Sequence, residues 1–193
     1  MSTLKPGPYH HGDLKTALLD AADTLLDEGE AGAISLREVA RRAGVSAPAS
    51  YRHFRDKEDL LAALATRGFI EFAAALTEAT AGAADPLAAM GLAYVRFAVA
   101  RPGRFRLMYG PAIPDRQRFP ELQAAWQATS HGMSAALQGR LPPGPNSAVE
   151  SLKLWCMVHG LSQLILDGML QGYDPETLAR AITAPRPGST TSA

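Results

Sequence analysis

Two sets of residues in this sequence have the types and spacing for chemistry, and they ask for different chemistry. Cys156 and His159 stand three residues apart, with Asp167 further along. A thiol beside an imidazole is the beginning of a nucleophilic site, because the imidazole can take the thiol proton. No glycine elbow or oxyanion-hole loop accompanies the pair, so an enzyme is the weaker reading. The second set is basic. Between Arg37 and Lys57 lie six Arg or Lys against two carboxylates, whereas from Asp13 to Glu30 Lys15 stands alone against six carboxylates. The whole chain balances 19 basic with 19 acidic residues. A local basic patch on a neutral protein suits docking to phosphates and release from them.

The elements that must position these residues read as helices throughout. The chain is 47% hydrophobic, led by Ala and Leu, with no alternating Val/Ile/Thr run, which predicts an all-α fold. Leu14, Ala17, Leu18, Ala21, Ala22, Leu25 and Leu26 recur at helical spacing and predict a first helix over about 12–28. Ser35 with Glu38 three residues on is a capping box for a helix over 36–43, which buries Leu36, Val39 and Ala40 and turns Arg37, Arg41 and Arg42 outward. Gly44 stops that helix, Ser46 caps the next, and Pro48 falls in its first turn, where a missing N–H costs little. That second short helix is expected to reach Phe54, so the pair makes a helix-turn-helix, with Phe54 closing its core.

Asp56 caps a long helix through Leu60 and Leu76 to about Gly82, and Asp85-Pro86 starts another bearing Met90, Tyr94 and Phe97. Arg101-Pro102-Gly103 is expected to break it before a short helix over 104–109. A further helix runs from about Phe119 to Gly139, and Pro142-Pro143-Gly144-Pro145 reads as a linker. The segment from Ala148 to Leu170 is apolar on nearly every side, which requires cover on every side and predicts a partner subunit. A last short helix follows Asp174-Pro175, and the tail from Pro185 has a disordered composition. No run of about 18 uninterrupted apolar residues and no signal-peptide core occurs, so a cytoplasmic protein without a membrane partner is expected. Cys156 is the single cysteine, which excludes an internal disulfide and a cysteine-based metal cluster; neither metal nor cofactor is expected.

The string SLREVARRAGVSAPASYRHFRDKEDLL (35–61) closely resembles the DNA-binding domain of TetR-family transcriptional regulators, in Ala43-Gly44-Val45-Ser46, Tyr51-x-His53-Phe54 and Lys57-Glu58-x-Leu60. Trp155-x-x-x-His159-Gly160, with Tyr9-His10-His11-Gly12-Asp13, is similar to the subgroup whose C-terminal domain is named for its Trp, His and Gly. The resemblance implies a helix-turn-helix domain over 1–55, a ligand-binding and dimerisation domain over 56–184, and a tail over 185–193. It implies a homodimer on double-stranded operator DNA, released by a small, largely apolar ligand.

Under that reading Arg37, Ser46, Ala47, Pro48, Ser50, Tyr51, Arg52, His53 and Lys57 are the DNA-contacting residues. The plainer alternatives are a core Tyr51, a helix-ending His53 and a solvated Lys57. Ala47-Pro48-Ala49 offers thymine methyls only apolar contact, leaving Arg52 as the one guanine reader. Lys5, His10 and His11 form either a minor-groove arm or a disordered tail. Tyr94, Phe97, Phe105, Met108, Trp126, Met133, Trp155 and His159 are candidates for a ligand cavity or for plain core. Gly160, Leu161, Leu164, Ile165, Gly168, Leu178 and Ile182 are the expected dimer interface, with Gly160 and Gly168 eight apart on one face. A helical interaction protein that no longer binds DNA is the remaining alternative; the intact Ser46, Tyr51, His53 and Lys57 set speaks against it.

Overall fold

A computed structural model describes residues 11–29, 32, 34–138 and 147–184. Among them are nine α-helices and no strand: α1 (His11–Glu28), α2 (Leu36–Arg42), α3 (Ala47–Ser50), α4 (Lys57–Thr80), α5 (Pro86–Ala100), α6 (Pro102–Tyr109), α7 (Pro120–Gln138), α8 (Ser147–Leu166) and α9 (Pro175–Thr183). A 3-10 turn, Arg116–Arg118, precedes α7. The all-α expectation holds. The proline-rich linker, the tail, and the Lys5, His10 and His11 side chains lie outside the described residues.

The head is α1–α3 with the first turns of α4. Ser35 Oγ accepts from the Glu38 backbone N–H at 3.2 Å, while the Glu38 carboxylate engages Arg41 instead of returning to the cap. Helix α2 then ends on Gly44 at φ +69°, where Val45 N–H reaches back to Ala40 O at 2.9 Å. Only a residue without Cβ adopts that left-handed turn cheaply, and it aims α3 across α2. Helix α3 is shorter than the sequence predicts. Beyond Ser50 the backbone tightens: Arg52 N–H bonds Ala49 O at 3.3 Å and His53 N–H bonds Ser50 O at 3.0 Å. The tightening delivers Phe54 into the core and brings the chain round to Asp56, which caps α4 by accepting from Asp59 N–H at 2.8 Å.

Helix α4 is the shared spine. By length and composition alone it could cross a bilayer. Here its Leu60, Leu61, Leu64, Phe69, Phe72 and Leu76 are buried in the core against α1, α5, α6 and α7. Each such side chain contributes roughly 1.5–3 kcal/mol when withdrawn from water. Helix α6 starts at Pro102, two residues earlier than expected, because Pro102 suits a first turn and Gly103 lies against α1. A Cβ on Gly103 would stand 2.4 Å from the Leu26 carbonyl oxygen, and one on Gly68 would stand 2.8 Å from Met108 Sδ.

Helix α8 ends at Leu166, four residues before the predicted limit. Gly168 turns at φ +69°, with Gly168 N–H on Ile165 O and Met169 N–H on Leu164 O, at 3.0 and 2.9 Å. Those two bonds make a Schellman ending, so Gly168 leaves the face that carries Gly160. Asp174 caps α9 through Thr177 N–H at 2.8 Å. Leu92, Val95, Leu161 and Ala179 form a second core between α5, α8 and α9, with Ile165, Leu178 and Ile182 packed against it. Leu161 is therefore interior to the protomer, and Ile165, Leu178 and Ile182 spend much of their surface there. As a dimer-interface residue Leu161 is corrected, whereas Ile165, Leu178 and Ile182 stay half-exposed. Val149, Leu152, Met157 and Leu164 are the apolar residues that α8 leaves exposed.

Candidate functional site

The outer edge of the head is small and apolar at its leading end. Pro48 is exposed, Ala47 and Ala49 are half-buried, and Ser46 occupies the cap position without a side-chain capping bond. Ser50 is corrected as a DNA contact: it is fully buried, its hydroxyl spent on Ala47 O at 2.8 Å and Leu36 O at 3.5 Å, tying α3 to α2. Tyr51 is 50% exposed and Arg52 is exposed beside it, so a packed Tyr51 is excluded. His53 is half-buried and borders a cleft at the head–body seam, with Lys15, Asp59 and Arg118.

The basic patch is much less free than its sequence window suggests. Arg41 chelates Glu38 at 2.9 and 2.5 Å, and Arg42 chelates Glu28 at the end of α1 at 2.8 and 2.6 Å. Hydrogen bonding from these guanidiniums holds both carboxyls below the ordinary glutamate value. Arg55 is bidentate on Asp59 at 3.2 and 3.0 Å. Lys57 Nζ donates to Gly32 O at 2.6 Å, clamping the α1–α2 connection to the start of α4, so it is neither a free phosphate ligand nor a merely solvated lysine. Arg37 and Arg52 remain as exposed cations of the window without an ion pair or hydrogen bond among the described residues.

Two charged clamps join head to body, and neither was legible in the sequence. Arg104 on α6 is 1% exposed and reaches both Asp23 on α1, with Nε–Oδ1 at 2.9 Å, and Glu71 on α4. Arg67 extends the network to Glu71 at 3.0 Å and to Asp20. On the other side Arg118 holds Asp56 and Glu58 in the first turn of α4, both at 2.8 Å.

In the body a cavity of about 400 Å³ opens between α5, α7, α8 and α9. Of the eight residues suggested for it, Tyr94, Trp126, Met133 and Trp155 line it. Phe105 and Met108 are fully buried elsewhere and are corrected to core; Phe97 packs on Phe72 with ring centres 4.8 Å apart. His159 stands behind the wall. Trp155 Nε1–H donates to Tyr94 Oη at 3.1 Å, and Tyr94 Oη lies 2.9 Å from His159 Nδ1. Trp155 thus occupies one acceptor site of that oxygen, and which of Tyr94 and His159 donates across the 2.9 Å contact is set by the imidazole tautomer. Burial holds His159 below its ordinary pKa, raises that of Tyr94, and pushes Tyr109 up to about 12. The His159 ring also packs on Tyr109 and Phe105, with centres 4.7 and 5.4 Å away. Cys156, by contrast, is exposed, so the thiol–imidazole pair is not assembled. Ser130, Ser134 and Ser151, which the sequence did not single out, also line the cavity.

The geometry agrees with what the chain is similar to. Residues 18–64 match the model of bacterial regulatory proteins of the tetR family, and residues 87–184 match a tetracyclin repressor-like C-terminal domain. HTH-type transcriptional regulators of Mycobacterium tuberculosis and Mycobacterium bovis are 31% identical over 105 residues, which is 52% of this chain and 44% of theirs. The matched stretch thus spans less than half of those relatives. A solved protein of unknown function from Rhodococcus sp. RHA1 is 33% identical over 92% of this chain and 95% of its own, with a TM-score of 0.80. The regulator FadR of Bacillus subtilis, solved with stearoyl-CoA, shares the fold at 15% identity, with a TM-score of 0.71 over 87% of this chain and 95% of its own. With both of its parts matched, and the C-terminal model alone covering just over half of its length, the chain belongs to the TetR family of bacterial transcriptional regulators.

Proposed function

We propose that this regulator is a homodimeric repressor that binds a palindromic operator and is released by a small, largely apolar ligand. Residues 1–55 act as the DNA-binding domain, 56–184 as the ligand-binding and dimerisation domain, and 185–193 as a tail. It works in the cytoplasm and belongs to the Trp-His-Gly subgroup. Tyr51, Arg52 and Arg37 supply the DNA-facing edge, with Ser46, Ala47 and Pro48 packing into the groove; Lys57 and His53 position the reading helix from behind. The exposed α8 stripe, with Gly160 open to close approach, is the face for the second subunit.

One observation carries the ligand-release reading: an unbroken line of contacts from the cavity to the head. Trp155 and Tyr94 form the cavity wall, Tyr94 holds His159, and His159 packs on Phe105 of α6. The next residue, Arg104, is bonded to Asp23 of α1. A ligand that shifts Trp155 and Tyr94 would thus move α6 and, through a buried charge that cannot let go cheaply, α1. A hundredfold loss of operator affinity needs only about 2.7 kcal/mol of differential ligand binding between the two states.

The test is binding to DNA from upstream of the protein's own gene, followed by fluorescence anisotropy across a salt series, with dimerisation followed by sedimentation. Binding that falls steeply with salt, and a Tyr51→Ala variant at least tenfold weaker but still dimeric, are expected. Unchanged binding by Tyr51→Ala, or a monomer at micromolar concentration, would overturn the proposal.

A further inference from the structure

Resting on that reading, we infer that the cavity selects an uncharged, flat aromatic molecule carrying a hydroxyl or carbonyl, in preference to a carboxylate or a coenzyme A thioester. None of its fifteen described lining residues is Asp, Glu, Lys, Arg or His. Charges on the surrounding helices pair with one another instead: Lys153 with Glu150 at 2.6 Å, Arg96 with Glu176 at 2.6 Å, and Arg180 with Glu176 at 3.7 Å. A carboxylate or phosphate entering the cavity would lose water and find no cation among the described lining residues, which is strongly unfavourable.

The apolar wall has a shape preference. It holds both of the chain's tryptophans, Trp126 and Trp155, together with Tyr94, and the thioethers of Met90 and Met133. Flat rings gain edge and face contacts on such a wall that a flexible alkyl chain does not, and methionine sulfur adapts to the ring edge. The polar demand is equally specific. Ser130 and Ser134 are one helical turn apart on α7, Ser151 faces them from α8, and none of the three makes a hydrogen bond among the described residues. The Trp155 and Tyr94 polar atoms are already spent on each other and on His159. The serines are therefore the groups left to receive a ligand hydroxyl or carbonyl.

Isothermal titration with 2-naphthol, naphthalene, 2-naphthoate and stearoyl-CoA tests this on the intact protein. 2-Naphthol should bind at least tenfold tighter than 2-naphthoate, and stearoyl-CoA should not bind. The double variant Ser130→Ala/Ser134→Ala should bring 2-naphthol down to the affinity of naphthalene. Ser134→Phe, which fills the cavity, should abolish 2-naphthol binding; Ser134→Leu should weaken it if the larger side chain unfolds the body. Tighter binding of 2-naphthoate or stearoyl-CoA overturns the inference. So does an absence of 2-naphthol binding, or binding that both cavity-filling variants leave untouched. Titration of the operator complex separates this from the release proposal. Cavity binding that leaves DNA bound overturns release and keeps the ligand class, whereas a charged ligand that releases DNA does the reverse.

Discussion

Replacing Asp23 with Ala leaves the buried Arg104 guanidinium with one of its two carboxylates. Arg104 is 1% exposed and the Asp23 side chain 12%, so water cannot take over the lost partner. Removing one member of a buried pair costs about 3–5 kcal/mol. Glu71, still bonded to Arg104 but with 38% of its side chain exposed, keeps the cost near the lower figure of about 3 kcal/mol. For a chain of this size that lowers the Tm by roughly 6–12 °C. The double variant Asp23→Leu/Arg104→Met removes both charges and fills the space with apolar atoms, while Glu71 retains Arg67 at 3.0 Å. Replacing a buried pair in this way is close to neutral, so the double variant should be clearly more stable than Asp23→Ala. Urea unfolding followed by circular dichroism measures both. A cost below about 1 kcal/mol for Asp23→Ala, or a double variant as unstable as the single one, would refute the claim that this junction is a desolvated clamp.

Three further outcomes follow from the same structure. Burial lowers the His159 pKa in the folded state, so the unfolded chain takes up the proton first, near its ordinary value of about 6.5. Stability should therefore fall as pH drops from 7 toward 6, and Tyr94→Phe, which removes the partner of Nδ1, should lower stability by about 1–2 kcal/mol at pH 7 in urea melts. Arg52→Ala or Arg37→Ala should reduce the salt slope of DNA binding by about 0.9 per lost phosphate contact, and Arg41→Ala should leave it unchanged; equal effects would mean that the intramolecular pairs open on DNA. A Cβ on Gly160 meets nothing within 4 Å in the protomer, so Gly160→Leu should fold normally and yet sediment as a weakened dimer. Unaltered association would move the interface off this face of α8.

The sequence exposed what depends on local chemistry. Ser35, Asp56, Asp85 and Asp174 all sit at helix caps and accept the backbone bonds their types suit, and Gly44 takes the left-handed turn. It could not expose what depends on distant pairing. Arg42 looked like a DNA cation because its partner, Glu28, lies fourteen residues away on another helix. Arg104 sits in an ordinary stretch of polar and apolar residues, and only the crossing of α6 over α1 and α4 makes it the most deeply buried charge among the described residues. The apolar surround of α8 suggests a single interface, yet Leu161 is buried against α5 and α9 within the protomer. Periodicity gives the number of buried faces, not which neighbour buries each one. The Trp155 and His159 motif was visible as spacing, but its meaning, a shared bond to Tyr94, belongs to packing.

The pairing of the head's cations changes how the reading helix works. With Arg41, Arg42 and Arg55 held by carboxylates and Lys57 by a carbonyl, the described residues of each head offer DNA little beyond Arg37, Arg52, Tyr51 and the open Ser46 hydroxyl. The leading Ala47-Pro48-Ala49 can add thymine-methyl contacts but no hydrogen-bonded base readout. Under the proposed reading, one such head alone is expected to bind weakly. Two heads fixed on one dimer bind well only where the second is held at high effective concentration over its half-site. Affinity then depends on the distance between heads, and a small displacement of α1 through Arg104 acts on both at once. A head rich in free arginines would hold DNA through its own phosphate contacts and resist such a displacement. Under the proposed release mechanism the sparse edge makes the operator complex responsive to the body, and adding a cation there, as in Ala49→Arg, should strengthen DNA binding while blunting its release by any ligand of the cavity.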